Sequence, residues 1–260
     1  MKRSDLHRPA WLRVVAASVR ALRDQFGLGL RWLGGLGRLA GFAGEYRRFR
    51  RLNRGTPHEL RAGDILPCLS DRTDSTPIEP IYFLQDAWFA RRLAARRPAA
   101  HVDVGSSVRS LSLVAQFVPV TMVDIRPVDL ELEGFSFVRG SILELPFRDA
   151  SVSSLSSLCV IEHIGLGRYG DPLDAAGTEK AAAELRRVLA PGGDLYVSVP
   201  VDAACRVHFN AHRTFTRDYL LALFPRTELV EERYIYGRAY AAAYDPGRGF
   251  GTGLFHLRAP

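Results

Sequence analysis

From residue 81 onward, short apolar runs alternate with helix-length segments, and this alternation constrains the fold more than any other property of the chain. HVDVG (101–105), PVTMVDI (119–125), FSFV (135–138), SVSSLSSLCVIEHI (151–164) and DLYVSVPV (194–201) read as strands. IYFLQDAWFARRLAARRP (81–98) reads as a helix stopped by Pro98, SLSLVAQF (110–117) as a short helix, and TEKAAAELRRVL (178–189) as a helix stopped by Pro191, Gly192 and Gly193. TRDYLLALF (216–224) predicts a further helix with Thr216 as its N-cap. TELVEERYIYG (227–237) and GTGLFHLRA (251–259) follow with no helix between them, which predicts an antiparallel hairpin at the sheet edge. Strand–helix alternation of this kind implies a parallel sheet wrapped by helices. About ten residues separate Asp124 from Phe135, which is short for a crossover helix.

In a sheet of this type ligands bind outside the carboxyl ends of the strands, so the residues that follow each strand are the ones to read. After the first come Asp103, Val104, Gly105 and Ser106. Gly105 can turn tightly and admit a ligand to the backbone. Asp124 ends the second strand, 21 residues after Asp103, where an acid can hold both hydroxyls of a ribose. A turn glycine and a strand-end aspartate are also ordinary features of α/β proteins.

The charge is uneven. Residues 1–51 hold 12 Lys or Arg against 3 Asp or Glu, a net of +9. The whole chain carries +7, so the remainder carries −2. The basic character belongs to an N-terminal appendage, which argues against a nucleic-acid-binding core. Arginines at 13, 20, 23, 31 and 38, with apolar residues between, predict one or two amphipathic helices over 9–51, although seven glycines between Gly27 and Gly44 weaken them. No apolar run reaches the length of a membrane span, and no secretory signal is legible. Two readings stand. Either an interfacial helix inserts Trp11, Trp32 and Phe42 into an anionic leaflet, or a helical cap or partner-binding helix carries a solvated basic face. Residues 52–80, rich in Pro, Asp, Thr and Ser, read as a linker or ordered lid. The organisation expected is a basic amphipathic extension (1–55), a linker or lid with a leading helix (56–98), and an α/β domain (99–260). Three cysteines without CxxC spacing, in a chain with 47% hydrophobic and 24% charged residues, fit a soluble protein of a reducing cytoplasm.

HVDVGSS, VTMVDIRP, GSILELPFRDASVSSLSSLCVIEHI and ELRRVLAPGGDLYVSVP, in that order, resemble the class I S-adenosylmethionine-dependent methyltransferases over about residues 99–201. The third string is similar to that family's D-x-x-x-LPF-x-D-x-S segment, and the fourth to its helix–PGG–strand. The resemblance implies a Rossmann-like, mostly parallel seven-stranded sheet with an antiparallel last strand, and S-adenosylmethionine as cofactor. It implies that Asp103, Gly105 and Ser106 line the methionine and ribose portion, that Asp124 holds the ribose hydroxyls, and that Ile125 lies against adenine. Ser141 and Ile142 would flank the adenine edge, and Cys159 would face the sulfonium. The family's second and third turn glycines are Ser107 and Arg109 here. CLSDRTDSTPIEPIYFLQDAWFARR, IEHIGLGRYGDP and FNAHRTF further resemble a bacterial family of unknown function, DUF268, from about Pro67 to Phe215; its members often occur among polysaccharide-biosynthesis proteins.

A polar cluster completes the sequence-level site. Glu162 and His163 end the fourth strand, Arg168, Tyr169 and Asp171 follow it, and His208, Asn210, His212 and Arg213 follow the fifth, so both sets should meet at one sheet edge. If the methyl acceptor is a hydroxyl, a base must take its proton, and His163 or His212 suits that role. Arg168 or Arg213 would hold a phosphate or carboxylate of the acceptor, with the remaining members contacting it. The same residues also suit loop capping and packing. A metal set of Glu162, His163, His208 and His212 is conceivable by residue type, but no metal is expected. Cys159, flanked by apolar residues, reads equally as a packing residue. The function expected is O-methylation of a small-molecule, sugar or glycolipid acceptor in cell-surface polysaccharide biosynthesis. It would take place in the cytoplasm, with peripheral membrane contact through the basic N-terminus. No nucleic-acid partner is expected. The alternative is a Rossmann-like module that has lost the cofactor and serves polysaccharide assembly as an interaction partner.

Overall fold

The structure is a computed structural model that describes residues 31–60, 65–69 and 71–260, with side chains from residue 37. The chain divides into two compact units, Met1–Pro77 and Ile78–Pro260. Among the described residues of the first, α1 (Arg31–Leu52) forms in spite of its glycines and ends on Arg50 and Arg51, cations that favour the negative end of a helix dipole. Apolar and charged residues are spread around α1 rather than sorted onto two faces, so the expected amphipathic stripe is weak over this stretch. Residues 1–30, with Trp11, and the Trp32 side chain lie outside the described residues. Among the described residues no helix is long and apolar enough to cross a membrane.

The second unit opens with α2 (Pro80–Arg96), the leading helix that the sequence grouped with the linker. Pro80 occupies its first turn, where the missing N–H costs nothing, and the Glu79 carboxylate accepts from Ile81 N. Then follow β1 (His101–Val104), α3 (Val108–Val114), β2 (Val120–Asp124), β3 (Phe135–Arg139), β4 (Val152–Leu158), α4 (Gly177–Val188) and β5 (Leu189–Val201). The chain closes with β6 (Arg206–His208), β7 (His212–Thr214), α5 (Arg217–Ala222), β8 (Glu228–Tyr236), β9 (Ala239–Ala241) and β10 (Gly251–Arg258).

Eight strands form one sheet in the order β3-β2-β1-β4-β5-β10-β8-β9. The first five are parallel, and β10 is antiparallel to both its neighbours, β5 and β8. Eight strands replace the seven expected, because β9 turns back on β8 at the edge. The hairpin predicted at the sheet edge is present, with β10 antiparallel to β8. β10 lies between β5 and β8, and every residue from Gly251 to Leu257 is buried, as an interior position requires. Residues 125–134 contain no helix, in keeping with the short connection.

The two faces of the sheet are sorted by the period-2 alternation of β5. Leu195, Val197, Val199 and Val201 pack into one cluster with Leu185 and Val188 of α4 and Leu220 of α5. Tyr196 packs into the other with Trp88, Phe89 and Leu93 of α2 and Leu111 and Val114 of α3. Both faces are covered, so the carboxyl ends of β1, β2 and β4 are left as the open rim.

Candidate active site

At that rim lies a cavity of about 480 Å³, within the range of small-molecule sites. Gly105, Asp124, Ile125, Ser141, Ile142 and Cys159, all predicted cofactor contacts, line it together with His163, Tyr169 and Asp171 of the predicted acceptor set. The turn after β1 needs its glycine: φ is +74°, and a Cβ there would lie 3.0 Å from Cγ1 of Val160. Asp103 and Ser106 are beneath the cavity and not among its lining residues. The Asp103 carboxylate accepts from Ser106 N (2.9 Å), Ser106 Oγ (2.6 Å) and Ser156 Oγ, and Ser106 Oγ accepts from Leu158 N (2.9 Å). These two residues brace the turn against β4. Burial pushes the Asp103 carboxyl up to about 6. Ser107 and Arg109 also lie off the cavity, and Arg109 is exposed on α3.

Asp124 ends β2, nearly buried, and does have a partner. Its Oδ1 accepts from Arg126 N (2.8 Å) and Nε (3.2 Å), and its Oδ2 from an Arg126 terminal nitrogen (3.2 Å). Arg126 and Arg139 line the cavity, and the sequence reading assigned neither a role. Both were within reach of the rule that ligands meet the residues ending each strand. Arg139 ends β3 opposite Asp124 in register, and Arg126 stands two residues past the end of β2.

The segment after β4 holds the polar chemistry. His163 Nδ1 lies 2.6 Å from the Ala211 carbonyl, which only accepts, so Nδ1 carries the proton and Nε2 the lone pair. Burial lowers the His163 imidazolium to about 4, partly opposed by Ala211. Nε2 stands 3.7 Å from Glu162 Oε1. Glu162 is buried, its Oε2 has no hydrogen-bond partner, and burial pushes its carboxyl up to about 8. Burial thus favours its neutral form. The Cys159 thiol, raised first by burial and then by Glu162, lies 3.1 Å from Gln85 Oε1.

The other predicted acceptor residues separate by role. Asp171 accepts from Gly165 N (2.6 Å), Gly167 N and Tyr169 N and so fixes the loop. Arg168 donates to the Ala211 carbonyl (2.8 Å) and lies 5.1 Å from the Tyr169 ring centre. Arg213 donates to the carbonyls of Ile164 (2.6 Å), Asp174 and Ala175, so its guanidinium ties β7 to the loop after β4. His208 and His212 face each other across the β6–β7 hairpin, ring centres 5.1 Å apart, and Asn210 stands in its exposed turn. None of His208, Asn210, His212 and Arg213 lines the cavity. Among the described residues no group of three His, Cys, Asp or Glu side chains is arranged to hold a metal.

Residues 148–233 match the model of a family described as Caenorhabditis protein of unknown function, DUF268. The match spans β4 to β8 and leaves out the strings before residue 148 that share in the resemblance. A curated protein of Encephalitozoon cuniculi (strain GB-M1) named “Putative methyltransferase ECU09_1500” is 32% identical over 111 residues, 40% of this chain. The chain spans about half (47%) the length of that relative. Among solved structures, the N-methyltransferase NodS from Bradyrhizobium japonicum superposes with a TM-score of 0.53 at 16% identity, covering 70% of this chain and 98% of NodS. The 1,6-didemethyltoxoflavin-N1-methyltransferase of Burkholderia thailandensis, solved with S-adenosylhomocysteine, superposes with a TM-score of 0.50 at 19% identity, covering 72% of this chain and 93% of its own. The chain thus has the Rossmann-like methyltransferase fold, and its DUF268 match falls on the part that carries Glu162, His163 and the β6–β7 hairpin.

Proposed function

We propose that this chain is an S-adenosylmethionine-dependent methyltransferase that acts on a hydroxyl of a small-molecule, sugar or glycolipid acceptor. The observation that carries the reading is the convergence of six predicted cofactor contacts on one cavity at the open rim of the sheet. Solved neighbours of the same fold that hold S-adenosylhomocysteine support the choice of cofactor. The residues present suit that group: a nearly buried carboxylate (Asp124) for a ribose diol, apolar walls (Ile125, Ile142) for adenine, and a glycine turn open to the backbone. When bound, S-adenosylmethionine supplies an electrophilic methyl group on a positively charged sulfur.

The chain's own part is to orient the acceptor and take its proton. His163 lines the cavity with Nδ1 fixed by Ala211, so Nε2 is the atom that accepts the hydroxyl proton. A role in polysaccharide biosynthesis and a peripheral membrane contact belong to the same proposal. The first is supported by the strings FNAHRTF and IEHIGLGRYGDP, the second by the net +9 of residues 1–51. The competing reading, a module without cofactor, draws support from the Arg126 guanidinium that already engages Asp124.

Calorimetric titration with S-adenosylhomocysteine decides between them. Micromolar binding, weakened at least tenfold in Asp124→Ala, is the expected result. No binding by a chain shown to be folded would overturn the enzyme reading.

A further inference from the structure

Asp124 is one carboxylate with two claims on it. The proposed function gives it to a ribose diol, whereas the structure gives it to Arg126. We propose that Arg126 is exchangeable: it neutralises Asp124 until the cofactor arrives, and once displaced it binds a phosphate or carboxylate group carried by the acceptor. This rests on the methyltransferase reading and names its acceptor class.

Four observations carry it. First, the pairing is built to come apart. Both side-chain contacts from Arg126 measure 3.2 Å, beyond the 2.7–2.9 Å of a tight charge-assisted bond. The backbone contact, Arg126 N to Oδ1, is short at 2.8 Å and holds the turn whether or not the side chain stays. Second, the Arg126 side chain is 57% exposed while Asp124 is 7%, so the guanidinium reaches in from solvent and can return to it. Third, Arg126 has a partner besides Asp124, engaged from the same position. Its guanidinium carbon lies 4.6 Å from the centre of the Tyr169 ring, and a cation over an aromatic face is attracted to it. Arg168 lies against the same ring, and that ring meets His163 edge-on at 5.5 Å. Two guanidiniums and the candidate base therefore surround one tyrosine. An acceptor with its anion on Arg126 and its hydroxyl at His163 would lie along Tyr169. Fourth, no other carboxylate of the cavity cancels these charges. Asp171, the other carboxylate that lines it among the described residues, accepts from three backbone N–H groups of its own loop.

The exchange makes the two ligands cooperative, and cooperativity between binding sites is reciprocal. The test is titration of inorganic phosphate, and separately acetate, into the full chain with and without saturating S-adenosylhomocysteine. The same titrations are run on Arg126→Ala, and circular dichroism establishes that the variant is folded. In the parent chain S-adenosylhomocysteine should tighten at least one of the two anions about tenfold, and phosphate against acetate tells which class the acceptor carries. Arg126→Ala should lose this coupling and bind S-adenosylhomocysteine several-fold more tightly, because the competing donor is gone. Two results would overturn the proposal while leaving the cofactor site standing: S-adenosylhomocysteine binds but changes neither anion's affinity, or Arg126→Ala binds it more weakly, which puts Arg126 on the cofactor's own carboxylate. If neither folded protein binds S-adenosylhomocysteine, the methyltransferase reading itself fails and the exchange with it.

Discussion

His163 illustrates how environment converts a residue type into a role. Free histidine would be largely protonated at pH 5, but burial lowers His163 to about 4. If it is the base, methyl transfer should persist at pH 5 and fall only as the pH approaches 4, where the imidazole charges. His163→Ala should reduce kcat by roughly 10²–10⁴-fold with little change in S-adenosylhomocysteine affinity. An acid limb near 6.5, or unchanged kcat in the variant, would remove His163 from that role. Gly105 yields a prediction of another kind. Gly105→Ala forces a side chain into a left-handed conformation against Val160, and should cost about 1–3 kcal/mol in urea unfolding as well as weaken cofactor binding. At this scale the turn glycine and Asp124 were legible from the ends of the first two strands, whereas His163, read at the end of a strand running to residue 164, stands in a turn beyond β4, which stops at Leu158. The sequence did not reveal that Asp103 braces the loop, that Arg213 is engaged by three carbonyls, or that Arg126 holds Asp124. Those depend on where side chains point, which residue order does not encode.

Elements were legible wherever local chemistry and packing agreed. Thr216 was read as an N-cap, and its hydroxyl accepts from Tyr219 N at 3.3 Å. Thr216→Ala should cost about 1 kcal/mol in a urea titration. α4 buries Ala181, Ala182, Leu185 and Val188, and β5 is buried on both faces from Leu195 to Val201. The start of β5 was missed by five residues. Pro191, Gly192 and Gly193 read as a helix stop but lie within the strand, where Gly192 has φ +69° and the β4–β5 register shifts. The β6–β7 hairpin and β9 are three residues each, too short for any periodicity to stand out. The sequence marks no element over residues 206–214, and the pairing of His208 with His212 comes only from the structure. Arg213 ties this hairpin to the loop after β4, so Arg213→Ala should lower stability and leave cofactor affinity near the parent value. A selective loss of acceptor binding at unchanged stability would instead restore it to the acceptor site.

The whole molecule should respond to pH in two opposed ways, since it buries both acids and histidines. Glu162, raised to about 8 from an ordinary 4.5, prefers to be protonated in the folded chain. The stability it contributes is fully present below about 4.5 and is lost as the pH rises through 8. His101, at the start of β1 and hydrogen-bonded to the Ser154 and Ser156 hydroxyls of β4, is lowered by burial to about 3. Its contribution is present above 6.5 and is lost as the pH falls towards 3. Between pH 6.5 and 8.5 the Glu162 effect acts with little opposition from His101, so the urea midpoint should be lower at 8.5, and Glu162→Gln should flatten that slope. An equal slope in the variant would assign the pH response to other groups.

The placement of β10 bears on how the chain is made. β8 and β9 reach the rest of the sheet only through β10, which is encoded after both of them. A ribosome releasing this chain has therefore delivered every strand from β1 to β9 before the piece that joins the two halves has emerged. Until residue 258 is free of the exit tunnel, β5 presents an open edge, and β8 pairs only with the short β9. The order of synthesis is not the order of assembly, and a nascent or truncated chain ending before Gly251 would be a natural client for chaperones that shield unpaired strands.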